Sequence, residues 1–541
     1  MSALKGTLRL TRLAARRDRV QLPIWIAGMA MLMYAAAAAV ADEFPTEAER
    51  ATALHAAGAS PAVLVMRGIP VGASEGGLVN FRNFASTLLL AGLMSTFMVV
   101  RHTRQNEETG RAELIGAGSV GRHASLAAAL ALTAIANLVL GAALTVTLLG
   151  AGLPAAGSVA FGAACAVTGV AFGGIAAVAA QLFTSARAAN AFAASSVGVA
   201  FALRGIGDAL GKQAADGIQV DSTWLSWLSP LGWGEQVRPF GDERWWVLAL
   251  PLALFAGCLG AAFALVDRRD LGAGMVAAKL GPATAARSLL SPTGLAWRLQ
   301  RGSVFGWVIG SAAFGVGIGA LGDIANEGLG DNKGVADLMA QLAGTGGPNI
   351  TDVYYAAMMN VFGVMAAGFA VQALLRLRSE EVGGQAEAVL ATATGRAQWV
   401  ASHLTCAVGG AAAVLLAAGA GAGIADALVG GTTGVGTLIG AGLVQLPAAL
   451  AVAGFAVLAF GWLPRLVVAL AWAGFGLSVV CGVLGEIFGL PQSVRDLSPF
   501  SHVPAIPAVD PTAGPIIALV VVAVAFTAAG LVLFRRRDLT A

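Results

Sequence analysis

The chain has 541 residues, of which 57% are hydrophobic and only 12% charged, with a formal net charge of +3 and a mean hydropathy of +0.77. A soluble protein with a polar surface is excluded, and the pattern is that of an all-α polytopic membrane protein. So small a net charge gives no footing for nucleic-acid binding.

The first predicted element is a helix over residues 2–21. Lys5, Arg9, Arg12, Arg16 and Arg19 step by four, three, four and three residues, which puts five cations on one helical face. Leu4, Leu10 and Ala14 point away from them, although Leu8 sits beside them. This predicts an interfacial helix lying on anionic lipid. A basic flank that merely orients the first span is the alternative. No short apolar core followed by a cleavage site is visible, so the first span is expected to remain as an anchor.

Apolar runs of about 20 residues, enough to cross a bilayer as helix, then predict spans near Leu22–Ala41, Phe84–Val100, Leu126–Leu149, Val159–Phe183, Ala188–Gly207 and Trp245–Val266. A polar segment, 104–122, interrupts them between the second and third span and predicts a short helix outside the membrane. Arg204 and Asp208, four residues apart at the end of the fifth span, are expected to pair on one helical face as a candidate outer gate. Trp224, Trp227 and Trp233 surround Ser229-Pro230, which suits either an aromatic belt or a partly inserted hairpin. The half closes on Arg268-Arg269-Asp270-Leu271.

The second half, 276–541, repeats this order. A helix over 285–302, carrying Arg298 and Arg301, precedes spans near Val304–Leu321, Val353–Leu375, Val400–Ile424, Gly436–Phe460, Leu466–Gly485 and Pro515–Phe534, which makes twelve in all. Residues 104–122 align without a gap on 378–396, at an offset of 274, with eight identities: Arg104/Arg378, Glu107/Glu381, Gly110/Gly384, Ala112/Ala386, Glu113/Glu387, Ala117/Ala391, Gly121/Gly395 and Arg122/Arg396. Leu228-Ser229-Pro230 matches Leu497-Ser498-Pro499, and Arg268 to Leu271 matches Arg536 to Leu539. These recurrences predict a tandem duplication with its seam near residue 275. Glu486 recurs in the place of Asp208, whereas Gly482 stands where Arg204 would.

Charge sets the expected orientation. The longer loops 43–82, 209–244, 323–352 and 486–512 hold 17 acids against 8 Lys or Arg, so the positive-inside rule places both termini and both repeated segments in the cytoplasm of a plasma-membrane protein.

Glu107-Glu108-Thr109-Gly110-Arg111-Ala112-Glu113 with Gly121-Arg122, the parallel Glu381 to Arg396, the Leu-Ser-Pro loops and the Arg-Arg-Asp-Leu closures together resemble the permeases of type 2 ABC exporters. The likeness is to the large tandem-duplicated actinobacterial permeases linked to polyketide antibiotics such as tetronasin. What the resemblance implies is that the two segments are coupling helices docking onto separate ATPase subunits, two copies per permease chain, through Arg104, Glu107, Glu108, Arg111, Glu113, Arg122, Arg378, Glu381, Glu387 and Arg396. It also implies ATP-driven export of a hydrophobic or amphipathic compound, as in multidrug or antibiotic efflux and resistance. The second copy departs at Glu380, Val382, Gly383 and Gln385, so the two docking sites need not be equivalent.

A nucleotide site in this chain fails inspection. The phosphate-binding pattern needs a first glycine and a final Ser or Thr, but Gly211-Lys212 is preceded by Ile206 at the first position and followed by Gln213. ATP and magnesium are therefore expected on the partner ATPase, with no catalytic, cofactor or metal residues here. Cys165, Cys258, Cys406 and Cys481 all fall in spans without CxxC spacing and are expected to pack as small apolar groups. Asn137, Gln181, Asn190, Asn360, Gln372 and Gln445 suit interhelical hydrogen bonding, and His403 has no paired acid in sequence. An ion-gradient transporter or a membrane scaffold remain alternatives. The first needs mid-span acids, which the sequence lacks.

Overall fold

In a bilayer every backbone N–H and C=O must find its partner within the chain, so apolar runs of this length fold as helices. The computed structural model describes residues 3–538 apart from 59, 215–216, 277–280, 282, 323–349, 484 and 486–489. It divides into two compact units, Met1–Gly281 and Pro282–Ala541.

The first unit begins with α1 (Thr7–Arg17), α2 (Gln21–Glu43) and two short helices, α3 (Glu47–Gly58) and α4 (Pro61–Arg67). The second span, α5 (Glu75–His102), stops at Thr103, whose φ −113 and ψ −90 break the helix before α6 (Arg104–Glu108). Gly110, at φ +70, turns the chain into α7 (Arg111–Gly116); a left-handed backbone there favours glycine. Then come α8 (Ala124–Gly150), α9 (Ala155–Leu182) and α10 (Ala186–Ala209), a small hairpin pairing Lys212–Gln213 with Val220–Asp221, α11 (Pro230–Gln236) and α12 (Ala249–Arg268). The most buried span is α9, on which α5, α8, α10 and α12 all pack. Helices approach closely where side chains vanish: a Cβ on Gly141 of α8 would lie 2.6 Å from the Gly162 carbonyl oxygen of α9.

The second unit holds α13 (Pro292–Gly319), α14 (Ile350–Val382), α15 (Gln385–Leu390), α16 (Arg396–Leu428), α17 (Val435–Leu443), α18 (Leu446–Trp462), α19 (Val467–Gly482), α20 (Gln492–Arg495) and α21 (Ala513–Arg536). Here α13 lies along α16 on another small-residue seam, where a Cβ on Gly421 would stand 2.5 Å from the Ala312 carbonyl oxygen.

Three expectations are corrected. Eleven helices among the described residues are long and apolar enough to cross a membrane, six in the first unit and five in the second. The exception is the span expected near Leu466–Gly485, where α19 has 16 residues and rises about 24 Å, short of a hydrocarbon core of about 30 Å. The helix expected over 285–302 is no separate element: Ser291 caps α13 with its side chain and the helix runs unbroken to Gly319. Each repeated segment is bent at a left-handed glycine, Gly110 or Gly384, between a first helical stretch (α6, set off from α5 at Thr103, or the end of α14) and a six-residue helix, α7 or α15.

Candidate functional site

The repeated charges do not all face outward. Glu107 on α6 is the centre of an ion cluster: Arg104 Nη1 lies 2.7 Å from its Oε2, and Arg269, just past the end of α12, reaches Oε1 at 2.6 Å and Oε2 at 2.9 Å. The Gly272 amide adds a donor at 3.2 Å. Arg104 is fully buried and also donates to the Ala180 carbonyl on α9 at 2.8 Å, while Arg269 donates to Gln181 Oε1 at 2.8 Å. A carboxylate thus ties the start of the polar segment to the ends of α9 and α12, with charge-assisted, partly bidentate bonds of the strong kind.

The second unit builds the same clamp. Arg378 Nη1 meets Glu381 Oε2 at 3.1 Å, and Arg537, just past α21, meets Oε1 at 2.7 Å and Oε2 at 3.1 Å. Its third support differs: the Arg537 guanidinium lies over the rings of Phe460 at 4.9 Å and Phe534 at 5.0 Å, so aromatic faces stand where the first unit uses an amide. The last arginine of each segment is a strap. Arg122 donates to the carbonyls of Val266 and Arg269, and Arg396 to those of Phe534, Arg535 and Arg537.

Of the predicted docking residues, Arg104, Glu107, Arg378 and Glu381 therefore face the body of their own unit. Glu108, Arg111 and Glu113 are exposed in the first segment, with Leu114 79% exposed, and Glu387 is exposed in the second. No residue of α7 is buried, and a cavity of about 440 Å3 lies beneath it, lined by His102, Asn106, Glu107, Ile115, Arg122 and Arg269 among others. A helix with so few packed contacts belongs to the least stable part of a fold.

The cationic helix is bound to this segment more tightly than a basic flank requires. Gly121 and His123 donate backbone N–H groups to the carbonyls of Lys5 at 2.9 Å and Ala3 at 3.0 Å, and Arg17 donates to Asn106 Oδ1 at 2.7 Å. Ala14 packs inward while Lys5, Arg9, Arg12, Arg16 and Arg19 are exposed. Asp18, which nothing in the spacing singled out, is buried against His102 Nε2 at 2.6 Å and Arg101 Nη1 at 3.2 Å. In the second unit His403, expected without an acid, meets Glu380 Oε2 at 3.3 Å, and Gln300 bonds its Nδ1 at 2.9 Å.

At the far end of the first unit, Arg204 and Asp208 do meet, at 3.4 Å, but as part of a larger cluster. Arg204 also lies 3.2 Å from Glu235 Oε1 and donates to the carbonyls of Leu64 and Val65, and Ser222 donates to Asp208 Oδ1 at 2.6 Å. Burial pushes the Glu235 carboxyl well above the usual carboxylate range; Arg204 opposes this and neighbouring Asp208 reinforces it. Glu486 lies outside the described residues. Asp426, past the predicted end of its span, is buried and accepts from Tyr355 Oη at 2.6 Å. The Leu-Ser-Pro loops have one geometry in both units. Ser229 Oγ donates to the Ala200 carbonyl and caps the N–H groups of Leu231 and Gly232. Ser498 Oγ donates to the Ser478 carbonyl and caps that of Phe500. Trp233 Nε1 donates to the Trp227 carbonyl, and Trp227 stacks on Trp246 at 5.9 Å, so these rings brace the cap rather than only belting it.

Among the described residues no group of His, Cys, Asp and Glu could hold a metal ion. The chain is 41% identical over 540 residues to the multidrug efflux system permease protein Rv1217c of Mycobacterium tuberculosis, covering 99% of this chain and 96% of that protein. A family model described as the C-terminal domain of the multidrug efflux system permease Rv1217c matches residues 289–535.

Proposed function

Because the chain belongs to the family of the multidrug efflux system permease Rv1217c, an efflux permease of multi-pass membrane type, we propose that it is the transmembrane subunit of an ATP-driven exporter whose ATPase is a separate polypeptide. The observation that carries this reading is the pair of clamped, projecting segments. Each presents charges outward while Glu107 or Glu381 anchors it to the end of the last long helix of its unit, α12 or α21. A lever needs both parts, a face for the motor and a rigid root. The outward residues Glu108, Arg111 and Glu113, with Glu387 in the second segment, dock the ATPase, and Arg104, Glu107, Arg122, Arg378, Glu381 and Arg396 root the levers. Two such segments offer one docking site to each of two ATPase copies, and a tandem duplication supplies both in one chain.

The cargo is hydrophobic or amphipathic, in keeping with the relative's name and with the polyketide antibiotics of the resembling exporters. The acids seen at span ends, Asp208 and Asp426, are paired with Arg204 and Tyr355 and so are poorly placed to bind a polar solute. With the termini cytoplasmic, the Arg204, Asp208 and Glu235 cluster closes the outer side.

The test is ATP hydrolysis by the chain in lipid, alone and with its candidate ATPase. Activity only with the partner, lost in a Glu108→Lys/Glu113→Lys/Glu387→Lys variant that still folds, supports the reading. Failure of any ATPase to bind overturns it in favour of gradient-driven transport.

A further inference from the structure

A groove with apolar walls lies on the surface of the first unit, beside the strap that holds its polar segment. Its walls are two stripes: His123, Ala127, Leu130, Ala131 and Ala134 on α8, and Phe255, Leu259 and Phe263 on α12. Both helices pack on α9. The alanines of α8 leave space opposite the large side chains of α12, and the groove holds about 570 Å3.

Its length and its ends define what fits. From His123 to Ala134 the stripe rises about 16 Å, half of a hydrocarbon core of about 30 Å and therefore the depth of one leaflet. The end nearest the chain's N-terminus is closed by polar bonds between the two walls: His123 Nε2 to Asp267 Oδ1 at 2.7 Å, and Arg122 to the Val266 carbonyl. Ala3 and Leu4 complete the lining there, and Lys5 follows them in the chain and is exposed, as are Arg122 and Arg268. The carboxylate at this mouth, Asp267, accepts from His123 and faces Arg122 Nε at 3.8 Å, so the mouth keeps an excess of positive charge.

The geometry points to a discrete site for one anionic phospholipid, its acyl chain in the α8/α12 groove and its phosphate among Lys5, Arg122 and Arg268. An apolar slot of one leaflet's depth with a cationic rim at the headgroup level is complementary to such a lipid at both ends. A neutral lipid satisfies only the slot. The occupant also touches the lever: Ala3 and Lys5 are the residues whose carbonyls hold His123 and Gly121 at the end of the first polar segment. Occupancy of the groove therefore steadies the strap between α1 and that segment. The inference goes beyond the exporter reading and does not depend on it.

The experiment is native mass spectrometry of the full chain, purified from equimolar phosphatidylglycerol and phosphatidylethanolamine. The wild type should retain one phosphatidylglycerol through delipidation. Ala131→Trp, which fills the slot from a half-buried position on its wall, should lose it. Lys5→Gln, at an exposed residue that leaves the fold alone, should keep a lipid but lower the preference for phosphatidylglycerol about fivefold, the weight of roughly one basic residue at an anionic surface. Equal retention in Ala131→Trp and wild type overturns the site. Equal occupancy by the two lipids in the wild type overturns the cationic headgroup subsite. Displacement by an exported compound, with no effect of Lys5→Gln, assigns the groove to cargo and overturns the proposal.

Discussion

Glu107→Gln isolates the anchor of the first polar segment. In the folded chain the carboxylate receives three N–H groups from two arginines and one from a backbone amide, and its side chain is 10% exposed. Removing one partner from a buried ion pair costs about 3–5 kcal/mol, because the charges left behind are uncompensated. The residual exposure, and the hydrogen bonds a glutamine still accepts, place this variant at the lower end, about 3 kcal/mol. If that loss falls on local opening of α6 and α7 alone, the open population rises on the order of 150-fold at about 1.4 kcal/mol per tenfold. Hydrogen exchange of the amides between Thr103 and Ala117 reads this directly, with α8 and α9 as internal references that should not change. Glu108→Gln, at an exposed position, should leave exchange alone. A cycle with Arg269→Gln should show the two losses to be non-additive by about 0.5–3 kcal/mol, as expected of contacting residues. Wild-type exchange over 103–117 in a folded Glu107→Gln protein, or additive losses in the cycle, would refute the idea that this carboxylate roots the segment.

Three further outcomes follow from other parts of the molecule. Glu235 binds its proton in the folded chain above the ordinary carboxylate value of 4.5, so the folded form holds more protons than the unfolded one between the two values. The stability it contributes is complete below 4.5 and is lost as pH rises through the raised value; Glu235→Gln should flatten that part of a melting-temperature profile, and an unchanged slope counts against a protonated Glu235. Gly157→Ala should destabilise by about 1–3 kcal/mol, the range for overpacking, because the new methyl would meet the Phe240 ring; Phe240→Leu should restore most of the loss, and no rescue means that the contact is not the cause. Ser229→Ala and Ser498→Ala should each lower stability by about 1–2 kcal/mol, the cap and the bond to the preceding long helix, α10 or α19, lost together, and a loss in only one unit would show that the two loops are not equivalent.

Sequence spacing carried the helices well because lipid enforces long apolar runs, and the eight identities between the polar segments marked where the two ion clusters form. Their geometry was less legible. Glu107 and Arg269 lie 162 residues apart, and Glu381 and Arg537 156. Each member of both pairs stands within a recurring motif, yet only packing brings the motifs together, so acids that read as a docking surface turn out to face inward. The Asp18 and His102 pair had no recurrence to betray it, since the second unit has Gln300 in the place of Asp18 and builds its junction from His403 and Glu380 at other positions. Glu235 was hidden for another reason: it sits in a short helix between two spans, where an acid is ordinary, and only the packing of α5, α9 and α10 around that helix makes it buried. The short α19 shows that hydropathy alone sets where a span can run and not where the helix ends.

The two polar segments join their spans differently. In the second unit the span and the root of its segment form one continuous helix, α14, of 33 residues, a rod whose hydrogen bonds transmit a displacement along its axis without loss. In the first, the broken turn at Thr103 puts a joint between α5 and α6, and a displacement there is partly spent on bending before it reaches the span. Were the two segments pushed equally, as in the exporter proposed above, the rod would answer early and the jointed arm late, and such a machine would have a built-in order to its cycle even with a symmetric motor.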